Sequence, residues 1–182
     1  MGFIASSRVR IPRSPPYSLE WDVSPIPKNI GENPEFDENS GSTAYDTSGF
    51  GTHGTIVGTP IWVTGKDGSA LEFDGSNYVD LGLAVDDLLE DEITLEAWIK
   101  PDTKQRGGIL SSDVTYYSPH KGFDFFLWDD DTYGRLYLDF GDGTTLGRMW
   151  YSIPSMDWYN QWHHVTGTWD GSTMKLYVDR VE

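Results

Sequence analysis

Apolar residues recur at every second position in this chain, in runs too short for anything but strands, and turn formers interrupt each run. The clearest run is Ile93 to Lys100, where Ile93, Leu95, Ala97 and Ile99 fall on one face and Thr94, Glu96, Trp98 and Lys100 on the other. Phe123, Phe125 and Leu127 continue the alternation, as do Leu136, Leu138 and Phe140. Gly54 to Thr64 is rich in β-branched residues, and Ser69 to Gly82 reads as two short strands around Asp74-Gly75. Trp162 to Trp169, the Asp170-Gly171 turn and Met174 to Val178 spell a hairpin. Only Leu83 to Asp91 could form a short helical turn. The pattern predicts an all-β fold, a two-sheet antiparallel β-sandwich.

Composition supports that class. Aromatic residues make up 14% of the 182, with 20 Gly and 10 Pro, and no long helical repeat of Ala, Leu, Glu and Lys is present. Thirteen Lys and Arg stand against 29 Asp and Glu, a net charge of -16. Nucleic-acid binding is therefore not expected, because counterion release needs clustered cations. Neither end offers a run of about 20 apolar residues, so membrane insertion is not expected either. The absence of cysteine removes disulfide staples, thiol catalysis and cysteine-ligated zinc.

Residues 1–29 differ from the rest. They carry Arg8, Arg10 and Arg13 before any acid, then prolines at 12, 15, 16, 25 and 27. They read as an extended basic arm ahead of a body at 30–182. The arm is either a tail or a segment that docks on the acidic body of a neighbouring subunit. Phe3 to Arg10 is free of proline and could pair as a strand. Met1 to Arg13 has no apolar core of the kind an ordinary signal peptide needs.

The runs FDENSGSTAYDTSGFGTHGTIVG, GSALEFDGSNYVDLG, ITLEAWIKP and WHHVTGTWDGSTMKLYVD, in that order, resemble the concanavalin A-like lectin/glucanase superfamily in its laminin G-like branch. The resemblance covers roughly residues 33–182 and implies a jelly-roll sandwich used as a binding module, often for glycans. The chain departs from it at Glu32-Asn33-Pro34-Glu35, where relatives carry a large aromatic in their first strand. It also ends at Glu182, soon after the hairpin, where relatives continue into further strands. Apolar residues on the inner face of the Met174–Val178 strand are accordingly expected to lack cover.

Hydrolases of the superfamily place carboxylates at alternating positions of one strand as E-x-D-x-E. Here Glu92 and Glu96 keep the spacing, but Thr94 replaces the central acid, so no glycosidase activity is expected. His163 and His164 are adjacent on a strand, point to opposite faces and cannot serve one site. His53 and His120 have no partner at a readable spacing.

The loop Asp46 to Gly51 resembles a family segment that often helps to bind structural calcium. That resemblance makes Asp46 a side-chain ligand and Gly49 a carbonyl ligand, against a simpler role for Asp46 in capping a Gly-rich turn. A sugar site needs aromatic faces beside polar groups. The candidates are Trp128 with Tyr133, and Trp150, Tyr151, Trp158 and Tyr159, which serve either as a ligand platform or as core.

Two functions fit the sequence. One is a non-catalytic, lectin-like module displayed outside a cell or on a particle, binding glycans or protein partners. The other is a structural component of a large assembly, such as a virion decoration, turret or fibre protein, held as a homo- or hetero-oligomer by its N-terminal arm.

Overall fold

The computed structural model describes residues 3–10, 36–47, 51, 53–82, 93–101, 107–112, 121–129, 134–142, 144–154 and 158–182. Residues 83–91, where the sequence suggested a helical turn, lie outside them. The strands are β1 (Phe3–Arg10), β2 (Thr43–Ala44), β3 (Gly54–Val57), β4 (Ile61–Thr64), β5 (Ser69–Phe73), β6 (Tyr78–Asp80), β7 (Ile93–Pro101), β8 (Gly107–Ser111), β9 (Lys121–Asp129), β10 (Gly134–Asp142), β11 (Leu146–Ser152), β12 (His163–Trp169) and β13 (Met174–Val178).

They form an antiparallel β-sandwich. A six-stranded sheet runs in the order β13-β12-β7-β1-β5-β4, a four-stranded sheet in the order β11-β10-β9-β8, and a three-stranded sheet in the order β2-β3-β6. The alternation in Ile93–Pro101 is realised in full, with every odd-numbered residue buried and every even one partly exposed. The inner row Ile93, Leu95, Ala97 and Ile99 meets Phe123, Phe125 and Leu127 of β9 and Leu136, Leu138 and Phe140 of β10 in one core. Each large side chain fully buried there stabilises the fold by about 1.5–3 kcal/mol. A smaller core of Phe36, Ala44, Ile56 and Leu71 lies beneath the three-stranded sheet, and Phe73 packs against both cores.

Strand β1 lies in the middle of the large sheet. All of it registers with β7, from Phe3 opposite Pro101 to Arg10 opposite Thr94. Its first residues also register with β5, from Phe3 opposite Phe73 to Ala5 opposite Leu71. The proline-free stretch of the arm thus pairs as a strand, between β5 and β7.

The inner face of β13 is covered, contrary to the sequence expectation. Leu176 and Val178 are 6% and 4% exposed. The opposite sheet supplies the cover: Met174 Sδ lies 2.8 Å from where a Cβ on Gly147 of β11 would stand, and Trp169 stacks on Phe140 at 5.9 Å. The β12–β13 turn is closed by Asp170, whose Oδ1 accepts from Ser172 N, Ser172 Oγ and Thr173 N at 3.0, 2.9 and 2.7 Å. Those bonds, the Thr173 amide first, hold its carboxyl below the usual aspartate range.

Close approach of the sheets is set at Gly167 in β12, where an added Cβ would stand 2.7 Å from both Cδ atoms of the fully buried Leu138. Overpacking of such a site costs about 1–3 kcal/mol. Gly167→Ala should lower the unfolding free energy by that amount, read as a lower urea midpoint with little change in slope. An unchanged midpoint would show that these sheets are not packed at this distance.

Candidate functional site

Because β9, β10 and β11 give one row of side chains each to the core, strand geometry gives the alternate row to the other side of the sheet. Pairing aligns those rows. Tyr137 is opposite both Phe126 and Trp150, Arg135 is opposite Trp128 and Ser152, and Asp139 is opposite Asp124 and Arg148. An outward face of a small sandwich is ordinarily polar, yet this one carries four aromatic rings.

Phe126 and Tyr137 stack with centroids 5.1 Å apart and planes 10° off parallel, so each uses a face on the other. Trp128 meets Phe126 edge-on at 6.4 Å. Trp150 is tilted against Tyr137 at 6.3 Å and remains 53% exposed. The ladder from Phe126 to Trp150 crosses three strands, about 10 Å at the usual spacing.

Two arginines frame it. The Arg135 guanidinium stands 5.5 Å from the Trp150 ring centroid, and its Nη1 donates to Tyr137 Oη at 3.0 Å. The Arg148 guanidinium stands 5.3 Å from the Tyr137 ring. Arg148 also grips Asp139 with two bonds, Nε to Oδ1 at 2.8 Å and Nη2 to Oδ2 at 2.6 Å. Asp139 is 4% exposed, a buried carboxylate on a nominally outer face. The Asp139 bonds, then the charges of Asp139 and Asp124, raise the Arg148 pKa above its ordinary value despite partial burial. The result is an aromatic surface with fixed donors at its margin.

The other residues singled out in the sequence fall elsewhere. Tyr151 points to the inner side and packs against the main core, whereas its neighbour Trp150 points out. Trp158 and Tyr159 are core residues, 5% and 7% exposed, so the platform role is corrected for them and for Tyr151. Trp158 lies flat on His163, centroids 4.1 Å apart. Tyr133 lies outside the described residues. Sequence proximity grouped these rings, but strand parity separates them. The same parity would have found Phe126, Arg135, Tyr137, Asp139 and Arg148, which occupy positions between the apolar alternates.

His163 is buried with both ring nitrogens engaged, Nδ1 with Asp179 Oδ2 at 2.7 Å and Nε2 with the Trp158 carbonyl at 2.9 Å. Asp179, at a φ of 52°, also accepts from His164 N at 3.0 Å, so this group clamps the end of β13 to β12. His164 faces the other side, 5.1 Å from Trp98 and 3.8 Å from a Glu96 oxygen. Glu92 and His120 lie outside the described residues.

Asp46 is buried, and its Oδ2 accepts from Gly51 N at 3.0 Å while its own N–H donates to His53 Nδ1 at 3.0 Å. These bonds tie the Asp46 carboxylate to Gly51 and its amide to His53. Gly49 lies outside the described residues, among which no group of three metal-ligating side chains gathers. Arg8 and Arg10 register with Glu96 and Thr94, and Arg13 lies outside the described residues. An open cleft of about 510 Å³ is bordered by Asp37, Asn39, Trp62 and Thr64, with Asp37 Oδ1 already accepting from Ser69 N at 3.1 Å.

Comparison with known families supports the same architecture. Residues 73–182, more than half of the chain, match the laminin G-type model of the concanavalin A-like lectin/glucanases superfamily. The chain belongs to this superfamily. Comparison with curated proteins and with solved structures returns no match. The matched span includes all of β7 to β13, and with them the aromatic face of this lectin-like module.

The energetics of the Arg148–Asp139 pair follow from its burial. Arg148→Met leaves the Asp139 carboxylate buried without its main partner and should cost about 1–3 kcal/mol, towards the lower end because the guanidinium is half exposed. Adding Asp139→Leu should recover most of that loss, since removing both charges removes the stranded one. Urea titration of the single and double variants reads this out, and losses that add would contradict it.

Proposed function

We propose that the protein is a non-catalytic, lectin-like module that binds glycans through the outer face of β9, β10 and β11, displayed at a cell or particle surface. The observation that carries this reading is Trp150, a half-exposed ring held between Tyr137 and Arg135 on a sheet face where polar residues are the norm. Pyranose rings present apolar C–H faces that pack on such an indole, while their hydroxyls accept from guanidinium donors. The ladder is pre-organised by its own stacking and by the Arg148–Asp139 bonds, so little side-chain entropy is lost on binding.

No step in this function is routed through calcium.

A second reading, an assembly component, is favoured by one specific observation. The N-terminal strand occupies the centre of the large sheet and is joined to the rest by a long connection.

Glycan-array screening of the full chain, followed by calorimetry on the best saccharide, tests the first reading. Trp150→Ala should weaken binding at least tenfold, about 1.4 kcal/mol, with an unchanged melting temperature. Retention of no glycan, or wild-type affinity in Trp150→Ala, would refute it.

A further inference from the structure

Strand β1 fills a slot that nothing else in the described sheet can close. Its neighbours β5 and β7 are paired to it and not to each other. Removing β1 would therefore open two main-chain edges in the middle of the six-stranded sheet, which is costly and adhesive. The slot must be filled, but main-chain pairing does not depend on which copy of the chain supplies the strand.

The connection bears on that choice. Strand β1 runs antiparallel to β5, with Ala5 opposite Leu71, so its Arg10 end lies at the Ser69 end of β5. The described chain resumes at that same end, where Ser69 Oγ donates to the Phe36 carbonyl at 2.6 Å and Ser69 N to Asp37. A short loop of the usual four to six residues or so would join two such points. Instead 25 residues, 11–35, lie between them, including Pro12, Pro15, Pro16, Pro25, Pro27 and Pro34. That length can span up to about 80 Å when extended, far beyond the edge of one sandwich.

The paired strand carries two arginines in a chain of net charge -16, a pairing available to it in either chain. The register sets Arg8 opposite Glu96 of β7.

We propose that β1 is exchanged between copies of this chain, with Phe3–Arg10 of one protomer filling the β5/β7 slot of another. The contacts are those of the closed monomer, so exchange requires no new interface chemistry and is a low-cost route to an assembly. The proposal does not rest on glycan recognition, because the slot and the aromatic face belong to different sheets.

The chain has no cysteine, which makes the test direct. Ser7 registers with Ala97 and Arg8 with Glu96, and neighbouring pairs alternate between hydrogen-bonded and closer non-hydrogen-bonded sites, so one of the two suits a disulfide. Full-length chains bearing Ser7→Cys and Ala97→Cys are co-expressed as two separate chains, as are chains bearing Arg8→Cys and Glu96→Cys, then mildly oxidised. Exchange predicts a covalent species at twice the 20.5 kDa chain mass for at least one mixture, absent when either single variant is expressed alone. The double variants Ser7→Cys/Ala97→Cys and Arg8→Cys/Glu96→Cys provide the control for closure within one chain. If these close only as monomers while both mixtures stay uncrosslinked, β1 belongs to its own chain and the proposal fails. If no combination closes, β1 does not occupy the slot, and the proposal fails equally.

Discussion

Everything in this molecule depends on the contact between the inner rows of two sheets. Ile93, Leu95, Ala97 and Ile99 of β7, with Val165 of β12, bury themselves against Phe125, Leu127, Leu136 and Leu138 of β9 and β10. The contact is close because Gly167 removes a side chain from one wall and lets Leu138 approach. Strand parity then leaves no freedom. Once one row of β9, β10 and β11 is committed to the core, the other row is committed to the outside, whatever residues it contains.

That commitment makes the outer row informative. Aromatic residues at Phe126, Trp128, Tyr137 and Trp150 do not contribute to the main core, and a half-exposed indole is a poor choice for solubility. Arg135 and Arg148 turn the rings into an ordered surface, and the burial of Asp139 beneath a bidentate arginine fixes one edge of it. A rigid set of rings with donors alongside suits recognition of a sugar or a protein partner.

Much of the fold was legible in the sequence because alternation is a direct imprint of burial on one face. The strands at 93–101, 163–169 and 174–178 follow the alternating pattern, and the runs beyond residue 73 lie within the superfamily match. The site was only half legible. Trp128 and Trp150 stood among the candidate rings, but Tyr151, Trp158 and Tyr159 looked equivalent to them, since the direction of a ring depends on strand phase and on the turn at 158–160. Cross-strand neighbours such as Tyr137 and Trp150 are 13 positions apart in sequence, and only the β10–β11 register brings them together. The cover over β13 was missed for a similar reason. Its inner face is closed by β11 of the opposite sheet and not by a following strand in the same sheet.

The central claim is that one side of β9, β10 and β11 is core and the other side is the recognition surface. Site-resolved tryptophan oxidation, read by mass spectrometry with and without a bound saccharide, tests it most directly. The account predicts that Trp150 oxidises readily in the free protein and becomes protected on binding, while Trp158 stays unreactive in both states. Equal oxidation of Trp150 and Trp158 in the free protein, or protection that falls on Trp62 or Trp98 and spares Trp150, would contradict it.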